Sequence, residues 1–551
     1  MTTTMHNVLL LFLFFAISSP ADEIQSKALI TTQSVIVVGN FETAHQDKQS
    51  FAQKVNFINL EVPGNALRLK RKLSETLIGQ PINATTIAAG KKTIQDFYRD
   101  QGRPLTSVHV PEQKITHGTL RFLVIESHIE AIKYQGNHWF STKQLQKNIQ
   151  QKEATPFNAN QVQKDLIWLN RSPFRETALI LAPGTRENTT ELTFVSKDQR
   201  PYRLFIGTDN TGYRTTGRER LFTGVHLGNL FSLDHRLSYR YTVSTEFGRF
   251  FAHTGQYVIP LPWRHLLEFY GGYSGIHALI LGSQMASRGK AWQASMRYTI
   301  PLTPKGAYNH EIKWGIDYKS TDVNLVLGAV PILGDRTVIT QFMLGYYGSI
   351  EMSIADLSFE AEGFVAPGDI FHGQSAADFS SLRPKAKSRY GYLRGSCTPL
   401  FHLPASLQLV LKSAAQVTNR NLLSSEQFGL GGLYTVRGYD ERILNTDNGL
   451  LLSAELRSPP LKPLTRHAKQ PPLELLQFLA FIDYGLGVNH NTLAYERDYR
   501  YLLGVGLGVC YYYSYHVSAR VNLGYPLHRH IAPNIKQPPG VRLNFSAIIS
   551  F

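Results

Sequence analysis

From Pro201 to the last residue, the chain is built of segments of about ten residues in which apolar and polar side chains alternate, separated by Gly, Asn, Asp and Pro. A period of two places successive side chains on opposite faces of a strand. Helices and two-sided buried sheets are thereby disfavoured over most of the chain. Where such strands carry apolar residues on one face and small or polar ones on the other, a closed barrel in a bilayer satisfies both faces and every backbone amide. Face assignment is clearest near the C-terminus. In Leu479–Val488, Ala480, Ile482, Tyr484, Leu486 and Val488 share the face suited to lipid, which leaves Phe481, Asp483, Gly485 and Gly487 facing a lumen. In Leu450–Arg457 the same rule turns Leu450, Leu452, Ala454 and Leu456 outward and Ser453, Glu455 and Arg457 inward.

Two further strands agree. Around Tyr515–Tyr525, Val517, Ala519, Val521 and Leu523 face out, and His516, Ser518, Arg520 and Asn522 face in. In Leu503–Tyr511, Gly504, Gly506, Gly508 and Cys510 face in, so a row of glycines leaves room for something to lie close against the wall. The last residues place Val541, Leu543, Phe545, Ala547, Ile549 and Phe551 on one face, as expected of a closing strand that ends in an aromatic residue. Aromatic residues are 11% of the chain, chiefly Tyr and Phe.

The one long apolar run, Val8 to Ile17, is too short to cross a bilayer as a helix, which takes about 20 residues. It ends in Ser19-Pro20-Ala21, a small-x-small cleavage pattern, and reads as a signal peptide over residues 1–21, although its first seven residues carry no Lys or Arg. Export argues against a nucleic-acid partner despite a net charge of +16, and the Lys and Arg residues are scattered rather than clustered. A basic pore lining or anionic lipid headgroups suit them better. Two cysteines, Cys397 and Cys510, are too few for a disulfide framework or a metal cluster and are expected to be unpaired thiols in strands, a single disulfide between them being the other reading.

Residues 22–54 are polar and mixed and are expected to form an extension or linker. Helical spacing appears only between there and Pro201. Val55–Val62 is strand-like, Asn65–Leu77 and Ala84–Tyr98 are helical, and Leu105–Val110 and Thr119–Ile125 close as strands. The order repeats with strand Ile129–Tyr134, helices Ser141–Gln150 and Asn158–Leu169, and strands Glu176–Leu181 and Glu191–Val195. Two β-α-α-β-β modules, at 55–127 and 128–200, therefore precede a mainly β domain at 201–551.

Specific strings then stand in order. They include Asp96-Phe97-Tyr98-Arg99-Asp100-Gln101-Gly102, Leu169-Asn170-Arg171-Ser172-Pro173-Phe174-Arg175, Gly207-Thr208-Asp209-Asn210-Thr211-Gly212 and Gly228-Asn229-Leu230-Phe231-Ser232-Leu233-Asp234-His235. Val436-Arg437-Gly438-Tyr439, preceded by Gly431-Gly432, and Phe481-Ile482-Asp483-Tyr484-Gly485 follow. Together they resemble the outer-membrane transporters of two-partner (type V) secretion, of the haemolysin secretion/activation type (TpsB; ShlB/FhaC/HecB), over about Val55 to Phe551.

That resemblance implies two small α+β POTRA domains in the periplasm and a transmembrane antiparallel barrel of sixteen strands in a Gram-negative-type outer membrane. It makes Val436, Arg437, Gly438 and Tyr439 the tip of a long loop folded into the lumen. Phe481, Asp483 and Gly485 match the strand motif, and Asp483 is the implied partner of Arg437. A bidentate arginine–carboxylate pair is suited to a loop-to-barrel latch. The implied activity is capture of an unfolded exoprotein, adhesin- or haemolysin-like, and its export, with or without activation. Outer-membrane lipids and the barrel-assembly machinery are implied partners, with Phe551 as the insertion signal. Some family members carry a plug helix and a long linker, for which the 33 residues from Asp22 to Lys54 leave little room.

No nucleotide-binding loop is present and no cofactor is expected. His528 and His530 form a lone His-x-His in a terminal loop, where solvated histidines are the ordinary case. Two other functions compete. A barrel-assembly factor would share the loop arginine and strand aspartate, and a neighbouring gene for a large β-helical exoprotein would tell against it. A barrel enzyme would need a Ser/His/acid set at the rim, and none stands out.

Overall fold

A computed structural model of the chain describes residues 30–44, 54–115, 117–279, 285–327, 330–464, 473–492, 499–532, 535–536 and 540–551. The expected signal peptide and parts of the expected extension, including the stretch that bears on a plug helix, lie outside the described residues.

The first module is a four-stranded sheet in the order Val55–Ile58, Ser34–Val38, Thr119–Glu126, Thr106–His109. Helices Ala66–Leu77 and Ala84–Asp100 place Leu69, Leu73, Leu77, Ile94, Phe97 and Tyr98 against Val35, Val37, Leu120 and Phe122, all buried. These residues recur at helical spacing on one face, which is why the two helices pack as they do. Asn65 and Asn83 cap the helices, their side-chain oxygens accepting from the amides of Leu67 and Thr86.

Ser34–Val38 corrects the reading of residues 22–54 as an extension. It is a central strand of this sheet, parallel to both Val55–Ile58 and Thr119–Glu126. The sequence Ser-Val-Ile-Val-Val shows no alternation because both of its faces are covered, and a doubly buried strand reads as a continuous apolar run.

The second module is a three-stranded sheet in the order His128–Gln135, Thr189–Asp198, Arg175–Pro183, with helices Thr142–Lys147 and Ala159–Leu169. Its element order is the one that hydrophobic periodicity predicts.

From Tyr202 onward, sixteen antiparallel strands close into a barrel, the last strand Arg542–Ser550 pairing with the first, Tyr202–Asp209. Side-chain exposure alternates as the sequence requires: on strand Glu474–Val488, Ile482 is 49% exposed while Asp483 is fully buried. Two strands, Tyr308–Leu327 and Val330–Glu351, are 20 and 22 residues long, about twice what a tilted bilayer crossing needs. Cys397 and Cys510 are both free thiols.

Candidate functional site

The long connection between strands Gln408–Thr418 and Asn448–Arg457 doubles back as a short hairpin, Phe428–Leu430 paired with Leu444–Thr446. Its tip carries Val436 to Tyr439. Gly431, Gly432 and Gly438 have φ of +104°, +104° and +96°, a region of backbone space costly to any residue with a Cβ, so the reversal depends on them. Val436, Tyr439, Leu430 and Leu444 are buried together with Leu451 and Leu502 of the barrel wall. The loop is therefore packed as a small core inside the lumen.

Arg437 stands at the centre. Its Nε donates to Asp483 Oδ2 at 2.7 Å and its Nη2 to Asp483 Oδ1 at 2.8 Å, a two-pronged match of planar guanidinium and carboxylate. The backbone amide of Arg437 also donates to Asp483 Oδ2, at 3.0 Å. The same carboxylate thus reads both the side chain and the main chain of the tip. Arg437 Nη1 donates to Glu455 Oε2 at 2.5 Å, and the guanidinium lies 3.5 Å from the centroid of the Phe481 ring. Ser453 donates its hydroxyl to Asp483 Oδ1 at 2.6 Å.

Both charges are out of water, with Arg437 3% and Asp483 0% exposed. A buried pair of this kind is tolerable because its hydrogen-bonding capacity is taken up on all sides; removing one partner strands the other. Glu455 is itself held by Arg457 at 2.8 Å and by Arg520, so the site is a network of three arginines and two carboxylates.

The remaining motif residues have identifiable tasks. The Tyr439 hydroxyl donates to the His528 carbonyl at 2.6 Å, lies 2.9 Å from the Leu503 carbonyl, and accepts from the amides of Leu503 and His528 at 3.1 and 3.2 Å, fixing the tip to two neighbouring segments. Gly485 makes space for the tip: a Cβ there would lie 2.8 Å from Val436 Cγ2. Phe551 pairs its amide with the Leu204 carbonyl at 2.8 Å and leaves its ring 70% exposed. His528 stacks on Tyr501 with ring centroids 4.0 Å apart, and its carbonyl accepts from Tyr439.

Glu455, Ser453 and Arg520 are legible in the sequence as lumen-facing but not as partners of Arg437. The signal is available in principle, since Ser453 lies directly opposite Asp483 in the ladder, but pairing register cannot be read from one strand alone.

A profile of the haemolysin secretion/activation proteins ShlB/FhaC/HecB matches residues 188–511, and one of the ShlB-type POTRA domain matches residues 52–127. The chain belongs to the ShlB/FhaC/HecB family. The heme/hemopexin transporter protein HuxB of Haemophilus influenzae is 21% identical over 438 residues, covering 74% of this chain and 71% of that protein. The outer membrane transporter CdiB of Dickeya dadantii is 21% identical over 543 residues, 93% of this chain and 92% of CdiB. The structure of CdiB from Escherichia coli superposes with a TM-score of 0.77 at 18% identity, over 97% of this chain and 93% of that one, which shows the shared fold.

As a ShlB/FhaC/HecB family member, the chain is an outer-membrane transporter that translocates a partner exoprotein, with its POTRA region on the periplasmic side. Family members are transporters rather than enzymes. Membership also favours export over the barrel-assembly alternative.

Proposed function

We propose that this transporter captures its exoprotein unfolded, by strand addition to an exposed sheet edge of the periplasmic modules, and passes it in extended form through a lumen whose hairpin is latched by Arg437 and Asp483. Edge addition uses main-chain hydrogen bonds and asks little of the partner's sequence. The edge strand Arg175–Pro183, which exposes Ile180 and Leu181, suits such a contact. The partner is a large haemolysin- or adhesin-like secreted protein, and its folding outside supplies direction without nucleotide.

The observation that carries the latch is the double reading of Asp483 by the side chain and amide of Arg437. Residues 1–21 act as a cleaved signal, residues 55–127 joined by the strand Ser34–Val38 form the first POTRA domain and residues 128–200 the second, and Phe551 is the signal that the barrel-assembly machinery reads. The apolar outer face contacts outer-membrane lipid.

Secretion of a labelled partner exoprotein into the medium tests the reading. It is expected to stop when this protein is deleted and to return on complementation. Undiminished secretion in the deletion strain overturns it.

A further inference from the structure

The barrel closes at a short junction. Arg542–Ser550 pairs with Tyr202–Asp209 over five residue pairs, from Ser546 opposite Asp209 to Ser550 opposite Phe205. On its other side the same strand makes eight, from Val517 opposite Ile549 to Gly524 opposite Arg542. Past Asp209 the first strand leaves the sheet while the last strand reaches back to Arg542, so the outward backbone groups of that stretch need partners from elsewhere.

Asn210 fills part of the gap. Its amide donates to the Phe545 carbonyl at 3.2 Å, its side-chain nitrogen donates to the Leu543 carbonyl at 2.6 Å, and its side-chain oxygen accepts from the Phe545 amide at 2.9 Å. The side-chain amide thus stands in for one more residue of strand.

The next link across the seam comes from the hairpin tip. Asp440 follows Tyr439 directly. Its Oδ1 accepts from Arg542 Nη1 at 2.6 Å and from Arg218 Nη2 at 3.1 Å, and its Oδ2 from Arg542 Nη2 at 3.1 Å. Arg542 begins the last strand. Arg218 stands two residues before strand Arg220–Leu230, the partner of the first strand. One carboxylate therefore grips both flanks of the seam, and it sits on a tip already fixed by Arg437 and Tyr439.

We infer that Asp440 is a positioning residue that couples the hairpin to barrel closure: while the hairpin is docked, Asp440 draws Arg218 and Arg542 together and closes the end of the seam. When the hairpin leaves, the junction retains five ladder pairs, the backbone bonds between Leu204 and Phe551, and the Asn210 amide. This coupling goes beyond the transport reading and is tested without transport.

Hydrogen–deuterium exchange of the full-length protein in detergent micelles reads it strand by strand. Asp440→Asn keeps the size of the side chain and removes its charge. Exchange is expected to quicken about tenfold over residues 202–212 and 540–551, the scale set by losing charged hydrogen bonds, while Glu474–Val488 and Tyr308–Leu327 keep wild-type protection. Arg542→Gln is expected to reproduce that pattern, and the double variant to add nothing further. Wild-type exchange at the seam, an even rise across all strands, or additive effects in the double variant would overturn the coupling.

Discussion

A Cβ built on Gly504 would lie 2.1 Å from the carbonyl oxygen of Arg437, so the strand Tyr499–Tyr513 and the hairpin tip touch backbone to backbone. Contact this close cannot accommodate a side chain without movement, and it explains why the inward face of that strand carries glycine at 504. Gly524 repeats the relation from the next strand, where a Cβ would lie 2.5 Å from the amide nitrogen of Gly438. The tip is seated against two bare strands and bound across to a third through Asp483.

Gly504→Ala follows directly. Overpacking of this kind costs about 1–3 kcal/mol, and here the strain falls on the tip rather than on the ladder. The barrel is expected to fold and insert, while the hairpin around residues 431–442 becomes open to protease added outside intact cells. Cleavage unchanged from wild type would show that the tip tolerates the methyl group.

Tyr439→Phe removes one hydroxyl: the Leu503 carbonyl keeps its bond from the Leu527 amide at 2.8 Å, while the His528 carbonyl loses that donor. A buried polar group left unsatisfied costs about 1–3 kcal/mol. A lowered thermal midpoint in detergent is expected, together with higher exchange near His528. An unchanged midpoint would mean that water or a rearranged neighbour replaces the hydroxyl.

Asp483→Ala takes away the main counter-charge of Arg437 and leaves Glu455 as its remaining carboxylate. Breaking a buried ion pair from one side costs about 3–5 kcal/mol. Unfolding in guanidinium is expected to shift to lower denaturant, and adding Arg437→Ala on top is expected to recover part of the loss, because the stranded charge is then gone. A double variant as unstable as the sum of the singles would deny the pairing.

Much of this site is legible in the sequence, and the reasons are specific. Alternation over residues 479–488 turns Asp483 inward whatever its partner, and of the inward glycine row Gly504 faces the tip, whereas a Cβ at Gly506 or Gly508 would meet Phe481 or Asn522 of the barrel itself. Ser34–Val38 escapes because a strand covered on both faces loses the alternation that announces strands. Glu455, Ser453 and Arg520 escape for a different reason: they meet Arg437 only through the pairing register of separate strands. Asp440 is further still from local reading, since its two arginines lie 222 and 102 residues away along the chain.

The periplasmic side offers a pH test. Glu130 accepts from the hydroxyls of Thr185 and Thr189 at 2.6 and 2.7 Å and from the amides of Thr185 and Arg186. The Thr185 and Thr189 hydroxyls, which favour the ionised form, hold its carboxyl down at about 2. A carboxyl lowered on folding contributes stability above the pH where a free glutamate ionises and loses it as pH falls toward 2. Protease resistance of the turn at 184–188 is expected to decline over that acid range in the wild type and to lack that decline in Glu130→Gln. Identical acid profiles would remove Glu130 from the account.

The latch itself is tested most directly by single-channel conductance in planar bilayers, wild type against Arg437→Met, which keeps much of the length of the side chain and removes its charge and donors. The latch predicts larger or more frequent openings in the variant, because the hairpin no longer holds its place in the lumen. The same conductance and the same gating in both proteins would contradict it.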